Sequence, residues 1–76
     1  MKVYNFLREL IGVYQQISII DYSKEEEAGP YKVYEGLCWQ CPYSDKKHEQ
    51  NHYSQAKVDG IEAEGDTLII SIGITA

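Results

Sequence analysis

Cys38, Cys41, His48 and His52 fall within fifteen positions of one another and account for every cysteine and histidine in the chain. Their order, Cys-x2-Cys-x6-His-x3-His, supplies two sulfurs on a tight turn and two imidazoles that share a side if that stretch is helical. Two thiolates and two imidazoles are the ligand set of a closed, structural zinc site. The six-residue spacer is shorter than in ordinary zinc fingers, and Trp39 and Pro42 stiffen the turn. Two buried thiols and two solvated imidazoles are therefore the competing expectation. A redox role for Cys38-Trp39-Gln40-Cys41 asks for a helix N-terminus within a βαβ frame, which 76 residues do not readily supply. No glycine-rich phosphate loop, nucleophile elbow or spaced Ser, His and Asp set is present, so the sequence points away from an enzyme.

The elements that would position these residues follow from periodicity. Val3, Leu7, Leu10, Ile11 and Tyr14 recur at spacings of three and four, which predicts an amphipathic helix over 3–15, weakened slightly by Gly12. Ile17 to Asp21 and Tyr31 to Glu35 suit two strands of a hairpin whose connection, 23–30, carries Glu25, Glu26 and Glu27. Leu68, Ile70, Ile72 and Ile74 alternate along 67–75, and with 58–64 they flank Glu64-Gly65-Asp66 as a second hairpin. The fold expected is α+β: an N-terminal helix packed on a four-stranded antiparallel sheet of two hairpins, in one domain over 1–76. Residues 37–57 form a long loop or short helix between the hairpins, where Ser44 or Asp45 would cap a helix bringing His48 over His52.

Composition bounds the partners. Seven Lys and Arg against twelve Asp and Glu give a net charge of −5, which repels nucleic-acid backbones and favours a basic protein surface. No apolar run is long enough for a membrane span, and no secretory leader is evident, so a cytoplasmic protein is expected. Seven tyrosines stand beside one Phe and one Trp. Tyr4, Tyr14 and Tyr34 suit the core, and Tyr22, Tyr31, Tyr43 and Tyr53 suit connections, where exposed Tyr supplies contact area. Glu25, Glu26, Glu27, Tyr31, Asp59, Glu62, Glu64 and Asp66 are the expected partner-binding face. A chain this small buries only about 60% of its unfolded surface, and a partly covered sheet leaves room for a homodimer.

Several short stretches carry a resemblance: Met1-Lys2-Val3-Tyr4, Tyr34-Glu35-Gly36, Cys41-Pro42-Tyr43, Val58-Asp59-Gly60-Ile61-Glu62-Ala63 and Thr67-Leu68-Ile69-Ile70. Together they resemble small proteins encoded by bacteriophages and mobile elements. That resemblance implies a short α+β fold and, by analogy with small acidic phage proteins, stoichiometric inhibition of a host defence protein, as anti-CRISPR proteins do. It implies no catalytic residue and no cofactor. Two alternatives stand beside it: a zinc-stabilised binding module built on the Cys/His set, and a protein that sequesters a signalling nucleotide through Lys32, Lys46, Lys47 and Lys57.

Overall fold

A computed structural model of the chain describes residues 1–9, 11–26 and 29–74. Helix α1 spans Val3–Glu9, strand β1 Gln16–Glu26, β2 Gly29–Leu37, β3 Gly60–Glu64 and β4 Thr67–Ile72. Three single turns of 3-10 helix, Cys38–Gln40, Pro42–Ser44 and Lys46–His48, lie in the excursion between β2 and β3. The helix packs on a four-stranded sheet made of two hairpins. No helix among the described residues is long and apolar enough to cross a membrane.

Sheet order is β2-β1-β4-β3, and β1 runs parallel to β4. Each hairpin is internally antiparallel, so the sheet is mixed along the seam that joins them. Alternation assigns side chains to faces but says nothing about which strand lies beside which, and that is why the seam is not legible from pattern. On the covered face, Ile17 lies level with Leu68, and Ile19 with Tyr34 and Ile70. Val3, Ile17, Ile19 and Ile70 are wholly buried, and Phe6, Leu7 and Ile72 complete this layer. Burying one such aliphatic side chain contributes about 1.5–3 kcal/mol, so these few residues carry much of a small core.

The helix stops at Glu9, short of the predicted residue 15. The chain must reverse before β1, and it does so through a turn in which the Gln15 N–H donates to the Gly12 carbonyl at 3.1 Å. Tyr14 sits in that turn at 78% exposure instead of continuing the helical stripe. Leu10 lies outside the described residues. At the other end of α1, the N–H groups of Val3 and Tyr4 donate to the carbonyls of Ala56 and Ser54, both at 2.9 Å. The excursion therefore supplies the helix start with acceptors that a side-chain cap would otherwise provide.

The β3–β4 turn is the tight hairpin that Glu64-Gly65-Asp66 predicts. Glu64 pairs with Thr67, Gly65 has φ +61°, and Asp66 does not have positive φ, the pattern of a type II′ turn. A side chain at 65 would meet open space, so only the backbone angle discriminates there. Gly65→Asn and Gly65→Val are both expected to cost about 1–3 kcal/mol, because the first central position of a type II′ turn suits glycine alone, compared by urea midpoints.

Candidate functional site

The first candidate, the Cys/His set, does not converge. Cys38 and Cys41 are each 1% exposed and belong to the core, whereas His48 and His52 lie on the surface. Among the described residues no three His, Cys, Asp or Glu side chains are grouped so that they could hold a metal ion. The cause is local. The Asp45 carboxylate accepts from the Lys47 N–H at 3.0 Å, as a cap should, but the helix it starts is one 3-10 turn ending at His48. Turns follow, so His48 and His52 are not stacked on one α-helical face. The His52 ring instead lies 4.0 Å from that of Tyr53, which is buried and meets Tyr43 edge-on at 5.6 Å.

The excursion is thus part of the core and not a dangling connection. Tyr43 and Tyr53, expected in connections, pack inside it, while Tyr14, expected inside, is exposed. The Cys38 thiol donates to the Leu7 carbonyl at 3.4 Å, which ties the excursion to α1. Burial pushes the Cys41 thiol up to about 11, and two backbone N–H groups, from Tyr43 and Ser44, offset only part of that rise. Burial raises the Cys38 thiol as well. Such thiols are protonated and unreactive near neutrality.

The second candidate is the sheet face turned away from α1. Three rows cross it in the order β2, β1, β4, β3: Leu37–Gln16–Thr67–Glu64, then Glu35–Ser18–Ile69–Glu62, then Lys32–Ile20–Ser71–Gly60. Eight of these residues, all but Leu37, Gln16, Ser71 and Gly60, line a shallow depression of about 550 Å³ together with Tyr22 further along β1. Its centre is apolar: Ile20 and Ile69 are half-buried, and Tyr22 is 42% exposed. Its flanks are acidic. Lys32 holds Glu35 at 2.8 Å, but both groups are half in water, so that pair contributes little to stability. Glu62 and Glu64 are exposed and have no ion pair among the described residues.

The expected partner-binding residues divide between the two ends of the sheet. Glu62 and Glu64 stand on this face, with Asp66 in the turn beside it, where its carbonyl accepts from Gln15 Nε2 at 2.7 Å. Asp59 lies near the far end of β4 and accepts from the Ile74 N–H at 2.9 Å through Oδ2. Tyr31, 37% exposed, is level with Asp21, also at the far end. Glu25 and Glu26 pair with Pro30 and Gly29 at the tip of the first hairpin, and Glu27 lies outside the described residues. Glu26 is ten positions along β1 from Gln16, which is level with Thr67. At about 3.3 Å per residue that is on the order of 30 Å, so the two groups stand at opposite ends of the sheet.

Sequence reasoning missed Ile20, Ile69 and Glu35, and it expected Tyr22 as an exposed contact residue in a connection, where the structure has it on β1. The signal was present in the doublets Ile19-Ile20 and Ile69-Ile70, each of which breaks the apolar-polar alternation at one position and puts an isoleucine on both faces of its strand. The lysines considered for nucleotide binding are dispersed along the chain: Lys32 is tied to Glu35 on β2, Lys46 and Lys47 occupy a 3-10 turn, and Lys57 pairs through its backbone with Lys2. No protein-family model, curated protein or solved structure matches the chain, so the geometry of this open face is what a functional argument has to start from.

Proposed function

We propose that the protein acts by stoichiometric binding and not by catalysis, docking its open sheet face on a basic surface of a protein partner. The phage-type resemblance makes a host defence nuclease, such as a CRISPR effector in the bacterial cytoplasm, the partner class of first choice. One observation carries the proposal: an apolar centre of Ile20, Tyr22 and Ile69 flanked by Glu35, Glu62 and Glu64, in a chain of net charge −5. An apolar centre ringed by charge is how protein interfaces are built, and carboxylates in that ring would meet the Lys and Arg that otherwise hold phosphate.

The test is a binding series against purified defence nucleases. A one-to-one complex is expected that duplex DNA displaces and that loosens as salt rises. The double charge reversal Glu62→Lys with Glu64→Lys should slow association at least about tenfold, since charges at the rim act mainly on encounter. Unchanged association of that variant, or failure of every nuclease in the series to bind, would dismiss the proposal.

A further inference from the structure

The two edges of the sheet are not equivalent. On β2 the edge carries Pro30, which has no N–H to offer. Its register with β1 also slips between Ile19 and Ile20, leaving Val33 as an extra residue, and Lys32 is exposed beside the slip. A proline, a bulge and a lysine are the usual devices that stop a strand from recruiting another. On β3 there is neither proline nor lysine, and its one irregular contact is at its start, where the Asp59 N–H donates to the carbonyl of Ser71 at 2.8 Å. Gly60 to Glu64 pair with Ser71 to Thr67 in unbroken register, and the four residues from Ile61 to Glu64 are exposed, Ile61 at 51%.

Turn geometry fixes which backbone groups of β3 face outward. The two-residue loop is closed by Glu64 and Thr67 as a hydrogen-bonded pair, and antiparallel alternation makes Glu62–Ile69 and Gly60–Ser71 the next such pairs. The N–H and C=O of Ile61 and Ala63 then point away from β4. Side chains add a second layer of selection. Glu62 and Glu64 stand on the open face, and Ile61 and Ala63 stand on the other.

We infer that β3 is a docking edge for an extended basic segment of a partner protein, added as a fifth strand. This rests on the binding proposal above and specifies how the same region engages its partner. The incoming strand bonds to the outward groups of Ile61 and Ala63 and places alternate side chains beside those of β3, about 5 Å away. Opposite Glu62 and Glu64 those are Lys or Arg; opposite Ile61 and Ala63 they are aliphatic. The occupant is therefore a segment that alternates basic and aliphatic residues. A second copy of β3 is disfavoured. The antiparallel register that uses both outward residues of each copy is centred on Glu62 and sets that carboxylate against itself, a destabilising pair.

The experiment uses the 15N-labelled full chain and three peptides of about nine residues: Arg and Val in alternation, the same composition in two blocks, and the alternating peptide N-methylated at every second residue. The alternating peptide is expected to shift the amides of Ile61 and Ala63 in a saturable manner and slow their hydrogen exchange. Blocking the sequence or methylating its backbone should weaken it at least about tenfold, although every charge is kept. Ala63→Pro removes an outward N–H without touching the β3–β4 ladder and should have the same effect; should that variant misfold, the methylated peptide still decides. Equal binding of alternating and methylated peptides, with shifts confined to Ser18, Tyr22 and Ile69, would overturn the edge and leave face docking in place. Association of the chain with itself through Ile61 and Ala63 would overturn the assignment of a basic segment. The nuclease series fails or succeeds independently, so the two ideas can fall separately.

Discussion

Ile19→Ala should remove about half of this protein's margin of stability, while Ile61→Ala should be almost silent. Both residues lie on the same face and in the same cross-strand row, Tyr34–Ile19–Ile70–Ile61. They differ in what lies above them. Ile19 is wholly buried on a central strand, and Ile61 is 51% exposed because the packed layer of α1 and the excursion does not reach β3. Truncating a buried isoleucine to alanine costs about 2–5 kcal/mol through lost burial and the cavity left behind. A chain of this length is expected to have roughly 4–11 kcal/mol in total. A loss of 10 °C or more in Tm is therefore expected for Ile19→Ala, against a change of about 2 °C or less for Ile61→Ala. Comparable losses for the two would mean that α1 and the excursion do not cover the sheet as described.

The second large effect is a loss of stability in alkali. Cys41 is held up to about 11 by burial, from an ordinary 9.0, and the Cys38 thiol and the Tyr34 and Tyr43 hydroxyls are raised in the same direction, again chiefly by burial. A raised folded-state pKa means that the native chain keeps its proton where the unfolded chain has lost it. Stability is then fully present below about pH 9 and falls as pH rises toward 11. Each pH unit across that window costs about 1.4 kcal/mol for a single group, so Cys41 alone accounts for about 2–3 kcal/mol. Urea midpoints should be flat from pH 7 to 8.5 and drop steeply from 9 to 11. Cys41→Ala should start lower and fall less. A variant whose midpoint fell as steeply as the parent's would remove the buried thiol from the explanation.

The hairpins were legible in the residues because each has a strong local cause: alternating isoleucines in β4 and a glycine at the one turn position that needs positive φ. The length of α1 was not, because Ile11 and Tyr14 keep helical spacing although the chain has already begun to turn. The Cys/His spacing left a zinc site and a pair of buried thiols with surface imidazoles both open, and the described geometry follows the second. Cys38 and Cys41 bracket a 3-10 turn whose sulfurs fill the core, and His52 lies against Tyr53. For the acidic residues, sequence proximity was a fair guide within the second hairpin and a poor one across the chain. Glu62 and Glu64 share a face, yet Glu25 and Glu26 are carried to the opposite end by the unexpected length of β1.

The parallel seam has a consequence for how the chain is made. Strand β1 must wait for β4, whose residues lie about fifty positions later, before its second edge is filled. At ordinary translation speeds of about 5–20 residues per second, that is an interval of roughly 3–10 seconds on the ribosome. For the part of that interval in which β1 is clear of the ribosome, Ile17, Ile19 and Ile20 belong to a strand with one open side. A delay before β4 follows prolongs that exposure, so yield of soluble protein should depend on how quickly the second hairpin is completed and released.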